Sequence, residues 1–251
     1  MFDRMLQRIY NIFMIYRKHQ IATSSIIDAN ARVSYIGLFD VVEDAITECM
    51  GKLHLDGITV KRDYNAFWVF TKNKIKLFGA LAWGEEFVVE SFVSSLSSAK
   101  MAVDTALKRL DGTLVAYSCC EMCVLDVETK RIRRTSTVGI DENFVVETPQ
   151  LQVSFDKIED ADLPQVDTVT VRSTNIDYSQ HCNNVEYMRF IFNTYAVEEL
   201  KRLAVEEIEV CYVAQSYEGD ALTVHRSVSD NCDVFSVKKD GAAVIKCRIV
   251  H

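Results

Sequence analysis

Glycine and proline are scarce in this chain, with nine and two among 251 residues. Such low numbers exclude a long Gly- or Pro-rich linker and a low-complexity tail. Long apolar runs are missing too, since no stretch reaches the roughly 18 apolar residues that a membrane-spanning helix needs. The apolar residues 1–20 are interrupted by Asp3, Arg4 and Arg8 and lack a small-residue cleavage site. We therefore expect no signal peptide and a cytoplasmic protein.

The chain also lacks an excess of positive charge. Its formal net charge is −8, whereas binding to nucleic acid needs a clustered positive surface, so no nucleic acid partner is expected. The eight cysteines lie mostly inside apolar runs, and the chain is too long for a disulfide-stapled mini-protein. The segment CCEMC (Cys119 to Cys123) has no second ligand pair spaced for zinc. It predicts buried strand cysteines, and we expect neither a metal site nor a cofactor.

The first half of the chain contains an amphipathic helix pattern at residues 34–53. Its apolar residues recur at the spacing of one helical face, namely Leu38, Val41, Val42, Ala45, Ile46 and Cys49. Its acidic residues lie off that face, namely Asp40, Glu43, Asp44 and Glu48. A strand is predicted before the helix, from Ile12 to Tyr16, and strand-like runs follow at 66–78, 85–95 and 101–126. The last run contains a hairpin signal at Asp111-Gly112.

The second half repeats this order. A helical pattern covers residues 183–200, with its apolar residues on one face, namely Val185, Met188, Phe192, Tyr195 and Ala196. Strand-like runs follow at 208–215, 220–229 and 233–250, the last with a hairpin signal at Asp240-Gly241. Alternation along the run 208–215 would place Gln215 on the same face as Cys211 and Val213. Two copies of a helix followed by antiparallel strands predict an internal repeat.

The segment IDYSQHCNNVEYM (176–188) places short polar side chains where the chain enters the second helix. These are Asp177, Ser179, His181, Asn183 and Asn184. An imidazole titrates near neutral pH and can take a proton from water. Backbone N–H groups at a helix start are unpaired and lie at the positive end of the helix dipole. The amides around Cys182, Asn183 and Asn184 are therefore candidate oxyanion donors.

Structural roles compete with these catalytic ones. Asp177 is also a common residue in the turn before a helix, and a histidine taken alone is more often structural. A nucleophilic role for Ser179 is disfavoured because the chain contains no G-x-S-x-G elbow. Gln215 carries an amide that does not titrate, so it is suited to orient water or the histidine and not to act as a base.

The chain resembles acyl-ACP thioesterases of the double-hotdog type, the bacterial relatives of the plant fatty acyl thioesterases. The resemblance covers nearly the whole chain and rests on the segments WVFTKNKIKL, IDYSQHCNNVEYM and CYVAQSYEGDAL. It implies an α+β fold of two tandem hotdogs, each a long central helix wrapped by an antiparallel sheet. We expect an N-terminal, acyl-binding hotdog at 1–135, a connector at 136–165 and a catalytic hotdog at 166–251.

The resemblance also implies the site residues. The family pattern reads Asp-x-Asn-x-His-x-Asn-Asn, with a glutamate following the histidine at a distance of 34 residues. Asp177, His181, Asn183 and Asn184 match the pattern, whereas Ser179 replaces the asparagine and Gln215 the glutamate. Ser216 stands where plant members have a cysteine. In the first hotdog, Trp68 is expected in the wall of an apolar tunnel for the acyl chain.

The activity implied is hydrolysis of a fatty acyl-ACP thioester in fatty acid biosynthesis, by water activated at Asp177 and His181. The partner would be acyl carrier protein with its phosphopantetheine-linked acyl chain. The alternatives are an acyl-CoA thioesterase and a degenerate hotdog that binds acyl groups without hydrolysis. The basic run Lys130–Arg134 is interpreted as a solvated loop or as a contact for the acidic carrier. Acyl chain length is left open, as is assembly into a homodimer.

Overall fold

The protein is an α+β structure of four α-helices and eleven strands within the residues that its computed structural model describes, 14–146, 151–159 and 163–251. The first part contains β1 (Tyr16–Ile21), α1 (Tyr35–Lys52), α2 (Gly57–Tyr64), β2 (Ala66–Leu77), β3 (Glu86–Leu96), β4 (Met101–Arg109), β5 (Leu114–Asp126) and β6 (Ile132–Arg133). The second contains β7 (Gln165–Thr170), α3 (Asn184–Phe192), α4 (Val197–Arg202), β8 (Glu207–Tyr212), β9 (Ala221–Val228), β10 (Cys232–Lys239) and β11 (Ala242–Val250).

The strands form one continuous antiparallel sheet. Their order is β1-β3-β4-β5-β2-β8-β11-β10-β9-β7, with β6 paired to β5. The two halves meet at β2 and β8, where Asn73 lies opposite Val210. The expected strand–helix–strands order is present in both halves. The predicted first strand differs: Ile12 and Phe13 lie outside the described residues, and β1 runs from Tyr16 to Ile21.

Helix α1 forms because its sequence has both a cap and one apolar face. The Ser34 hydroxyl accepts a hydrogen bond from the Gly37 amide, which satisfies one of the free N–H groups at the helix start. The apolar face predicted from the sequence is buried and packs against β3 and β4. Gly37 faces Ile26 so closely that a Cβ there would lie 2.8 Å from the Ile26 Cβ. The helix is therefore held against the loop that precedes it.

The second long helix is shorter than predicted. Helix α3 ends at Phe192, and α4 begins only at Val197. Tyr195 lies between them, and its hydroxyl donates a 2.6 Å hydrogen bond to Asp233 on β10. The Arg226 guanidinium packs over its ring at 3.8 Å. These contacts with the sheet hold Tyr195 out of the helical path, although its spacing fits the apolar face.

The cysteines behave as small apolar residues. All eight are free thiols, and the predicted strand cysteines Cys119, Cys120 and Cys123 are buried in β5. Burial raises the pKa of each of these thiols, so they stay protonated at neutral pH. No helix among the described residues is long and apolar enough to cross a membrane.

A cluster of charges links the two halves across the β2–β8 seam. The Lys74 ammonium lies 2.7 Å from Glu209 and 3.2 Å from Glu207. Arg248 on β11 reaches the same Glu209 carboxylate at 3.0 Å. Asp156, from the segment between the halves, pairs with both Lys74 and Arg248. Three carboxylates lie close together here, and Lys74 and Arg248 each form ion pairs with all three.

Candidate functional site

A cavity of about 370 Å³ opens beside the start of α3, between elements of both halves. Its inner wall is largely apolar and comes from α1, β2 and β5, with Ile46, Met50, Trp68, Phe70, Met122 and Leu125. Its polar residues come mainly from the segments before α3 and after β8, with Asp177, Ser179, His181, Asn184 and Gln215. Such a cavity fits a ligand with an apolar tail and a polar, reactive head.

The segment before α3 is a tight turn, which we call the site loop (Asp177–His181). The Asp177 amide donates to the His181 carbonyl, and the Gln180 amide donates to the Asp177 carbonyl. Gln180 has φ of 68°, a left-handed conformation that closes the turn. The Asp177 carboxylate also accepts from the Ser179 amide at 2.8 Å, an Asx-type turn. The structural role of Asp177 as a turn residue is therefore real.

The Asp177 carboxylate also accepts a hydrogen bond from the Ser179 hydroxyl, which the turn itself does not require. The Ser179 hydroxyl lies 2.5 Å from Asp177 Oδ1 and 3.0 Å from His181 Nδ1. Because the carboxylate takes the hydroxyl hydrogen, the serine oxygen is left to accept Nδ1–H. This arrangement favours the histidine tautomer whose Nε2 carries a lone pair. Asp177, Ser179 and His181 thus form a hydrogen-bonded chain that ends in a proton acceptor.

The surroundings of His181 favour its neutral form. Partial burial lowers its pKa below 6.5, and Lys130 acts in the same direction, while Asp177 opposes both. Its ring packs against Tyr217, with ring centres 5.1 Å apart. At neutral pH the imidazole is therefore unprotonated, which is the state that a general base needs.

Helix α3 begins at Asn184, within one residue of the start of the predicted helical pattern, with Asn183 as its N-cap. The predicted set of oxyanion donors needs correction, however. The Cys182 amide donates to the Ser216 carbonyl and the Asn183 amide donates to the Asn175 carbonyl, each at 2.8 Å. An N–H already bonded to a carbonyl is not available to a substrate. The Asn184 amide, for which the described residues provide no hydrogen-bond partner, remains the backbone candidate.

Gln215 lines the same cavity, but it does not lie on a strand. Strand β8 ends at Tyr212, because the Val213 and Ala214 amides both turn to the Val244 carbonyl. The chain then crosses to α3, where Ser216 is buried and its carbonyl receives the Cys182 amide. The prediction that Gln215 lies on a strand with alternating faces was therefore wrong. Gln215 does line the cavity, but it lies on the loop that follows β8.

Trp68, the residue expected in an acyl-chain tunnel, lies in the wall of the cavity. Its ring lines the cavity, and its indole N–H donates to the Leu55 carbonyl at 2.8 Å. This hydrogen bond satisfies the polar end of the side chain and fixes the ring in the apolar wall. Lys130 of the basic run lies with its ammonium 4.9 Å from the centre of the Phe67 ring. Since Phe67 lines the cavity, this exposed lysine marks its rim.

The cavity also contains a residue that sequence reasoning missed. Glu43 of α1 lies off the apolar helix face and reads as a solvent-facing acid. In the structure it lines the cavity, and Asn183 Nδ2 lies 3.5 Å from its Oε1. Its position beside Val42 and three residues before Ile46, both buried, was the signal that it borders the packed face.

The first half contains a turn of the same construction without a histidine. The Asp28 carboxylate accepts from the Asn30 amide at 2.8 Å, and Ser34 caps the helix that follows. Arg32 stands where the site loop has His181. The internal repeat is thus visible at atomic level, whereas the acid–base side chain is present in one copy alone.

Comparisons with known proteins find acyl carrier protein thioesterases. The sequence profile described as "Acyl-ACP thioesterase C-terminal domain" matches residues 158–246. The chain is 22% identical over 190 residues to "Oleoyl-acyl carrier protein thioesterase 1, chloroplastic" of Arabidopsis thaliana, which covers 71% of this chain and 49% of that protein. The chain spans about half the length of the curated relatives it matches.

Solved structures share the fold over almost the whole chain. An acyl-ACP thioesterase from Bacteroides thetaiotaomicron has a TM-score of 0.87 at 21% identity, covering 96% of this chain and 98% of that one. The 12:0-ACP thioesterase from Umbellularia californica has a TM-score of 0.81 at 15% identity, covering 94% and 96%. The fold is therefore that of a double-hotdog protein, as expected. The resemblance noted in the sequence is confirmed: residues 158–246 match the C-terminal domain of acyl-ACP thioesterases, and the two curated relatives are acyl carrier protein thioesterases.

Proposed function

We propose that this protein hydrolyses the thioester of a fatty acyl-ACP and releases the free fatty acid and the carrier. The observation that carries the proposal is the hydrogen-bonded chain from Asp177 through Ser179 to His181, at the polar end of an otherwise apolar cavity. An acyl chain fits the apolar end, which would place the thioester beside His181. The relatives named above, which are acyl carrier protein thioesterases, support this substrate class.

The chemistry follows from the resting protonation state. Neutral His181 takes a proton from water through Nε2 as the water oxygen attacks the thioester carbonyl carbon. The C–S bond of the resulting tetrahedral intermediate then breaks, and the imidazolium gives its proton to the leaving carrier thiolate, which restores neutral His181. Asp177 and Ser179 hold the imidazole in the productive tautomer and stabilise the imidazolium that forms. Gln215 lies at the same cavity and is suited to orient the water.

The exposed Lys130 and Arg131 near the cavity rim suit an acidic carrier protein. A cytoplasmic role in fatty acid biosynthesis remains a prediction.

The test is hydrolysis of a panel of acyl-ACPs and acyl-CoAs, followed by a thiol-detecting reagent. We expect turnover with acyl-ACP by the wild type and a loss of at least a hundredfold in His181→Ala, since general-base catalysis contributes about 10² to 10⁴. His19→Ala, on the exposed face of β1, is the matched control and should match the wild type. A preference for acyl-CoA would identify acyl-CoA, and not acyl-ACP, as the substrate. Binding of acyl-ACP without turnover would favour a non-catalytic acyl-binding protein.

A further inference from the structure

Glu43 extends from the first half into the site formed by the second. It lies on α1, and its neighbour across the junction is Asn183, the N-cap of α3. The 3.5 Å separation between Asn183 Nδ2 and Glu43 Oε1 is long for a hydrogen bond. Glu43 therefore lies next to the helix start where the Asn184 amide is the remaining backbone donor.

Among the carboxyl groups of the cavity, Glu43 has the fewest hydrogen-bond partners, with one long contact to Asn183. Asp56 caps α2 through the Ile58 and Thr59 amides, and Asp177 accepts both hydrogen bonds from Ser179. No lysine, arginine or histidine in the part of the chain that the structure describes forms an ion pair with Glu43. Its second oxygen, Oε2, likewise has no hydrogen-bond partner among those residues. This oxygen is therefore available to a ligand.

The environment of Glu43 holds a proton on it. Burial is the main cause, followed by the negative charges of Asp177, Asp40 and Asp44, and together they raise its pKa to about 8 despite the opposing contact with Asn183. Its other titratable neighbours are Tyr178 on the site loop, Cys120 on β5 and Tyr212 on β8, and their pKa values are also raised. At neutral pH the side chain is a carboxylic acid with one O–H to donate.

We propose that the Glu43 O–H and the Asn184 N–H together bind the carbonyl oxygen of the substrate thioester and stabilise the oxyanion that forms on it. The inference rests on the proposed hydrolysis and adds a catalytic residue from the first half. An oxyanion hole needs donors aimed at the developing charge, and the Cys182 and Asn183 amides are already bonded elsewhere. A carboxylic acid kept neutral by its site can supply the missing donor. No proton leaves Glu43, so the reaction needs no co-reactant beyond water.

The test compares two substitutions that differ in one property. Glu43→Met removes the donor and should lower kcat/KM at pH 7 by about a hundredfold or more, as loss of one oxyanion donor does. Glu43→Gln keeps an N–H donor that does not titrate, so it should retain most of the activity. In the wild type, activity should fall as the pH rises through about 8, because the ionised carboxylate repels the oxyanion. That alkaline loss should disappear in Glu43→Gln.

Glu48→Gln is the control, since Glu48 is an exposed glutamate of the same helix. It should keep the wild-type alkaline loss. A Glu43→Met variant within threefold of the wild type, or an alkaline loss that persists in Glu43→Gln, would overturn the donor role and leave the proposed function intact. Absence of hydrolysis by the wild type would overturn both. Carbon-13 NMR titration of the wild-type carboxyls, assigned with Glu43→Gln, gives a readout without turnover. Titration near 4.5 overturns the donor role, and titration near 8 supports it.

Discussion

At the scale of single residues, Ser179 is the link on which the site depends. Its hydroxyl is one of the few side-chain groups that can donate and accept at once. It uses both capacities, toward Asp177 and toward His181. Asp177 is therefore connected to the histidine through the serine, which stands where the resemblance implies an asparagine.

Removing this link should slow the reaction without unfolding the protein. We expect Ser179→Ala to lower kcat by roughly ten- to a hundredfold, or about 1.4 to 2.8 kcal/mol in the barrier, because the imidazole loses the group that fixes its tautomer. Ser179→Thr keeps the hydroxyl and serves as the control. Steady-state kinetics on one acyl-ACP measures both. A wild-type kcat in Ser179→Ala would show that Asp177 is only a turn residue.

The pH dependence of activity should report His181. A general base works in its neutral form, so activity is lost as the pH falls through the pKa of the folded protein. Burial and Lys130 place that pKa below 6.5. We expect the midpoint of the acidic loss in kcat/KM to lie below 6.5. In Lys130→Gln it should move upward, because a positive charge that disfavours the imidazolium is gone. A wild-type midpoint above 6.5 would contradict this assignment.

At the scale of elements, helix α1 supports the site because it is both long and tightly seated. It carries Glu43, Ile46 and Met50 to the cavity wall. Its two glycines have opposite surroundings. Gly37 is pressed against the Ile26 carbonyl oxygen and Cβ, whereas Gly51 has no atom within 4 Å of the place where a Cβ would lie.

Alanine at these two positions should therefore have opposite effects. Gly51→Ala should stabilise the protein by up to about 1 kcal/mol, since alanine favours a helix over glycine. Gly37→Ala has the same helix preference, but the clash with backbone should outweigh it and destabilise the protein by about 1 to 3 kcal/mol. Urea unfolding of both variants gives the comparison. Equal effects at the two sites would mean that Ile26 moves aside freely.

At the scale of the whole molecule, the β2–β8 seam holds the two halves of the cavity together. Lys74 lies directly opposite Glu209 in the strand register, and the exposed fractions of the two side chains are 3% and 2%. Burial alone would lower the pKa of Lys74, but its hydrogen bonds to Glu209 and Glu207 outweigh it, so the pKa is raised. A buried ion pair is costly to break from one side, because the partner charge is left desolvated.

Lys74→Met should consequently destabilise the protein by about 3 kcal/mol, the lower end of the range for breaking a buried pair, because Arg248 still contacts Glu209. Lys76→Met is the matched control on the same strand. Its ammonium is more exposed and lies 3.7 Å from Glu207, so a loss below about 1 kcal/mol is expected. Chemical denaturation measures both. Similar losses in the two variants would show that the seam depends on backbone pairing alone.

The amino-acid sequence by itself determined the features that depend on near neighbours. Helix α3 starts at Asn184 because the side chain of Asn183 caps it. That side chain accepts a hydrogen bond from the Val185 amide, which is only two residues further along the chain. The hairpin at Asp240-Gly241 follows from two residues that accept positive φ, here 50° and 81°. The alternating and helical patterns located most strands and the buried face of α1. Local geometry and short-range hydrogen bonds depend on residues that are close together in the sequence, so the sequence predicts them.

The tertiary structure alone decided the features whose partners are distant in the chain. Tyr195 leaves the helical path for Asp233, and Gln215 reaches the site on a loop. The Cys182 amide is taken by Ser216, and Glu43 becomes part of a cavity wall completed by the other half. A periodic pattern shows which side of an element is apolar. It does not show which polar side chain another element will enclose, because that depends on how the two halves pack together.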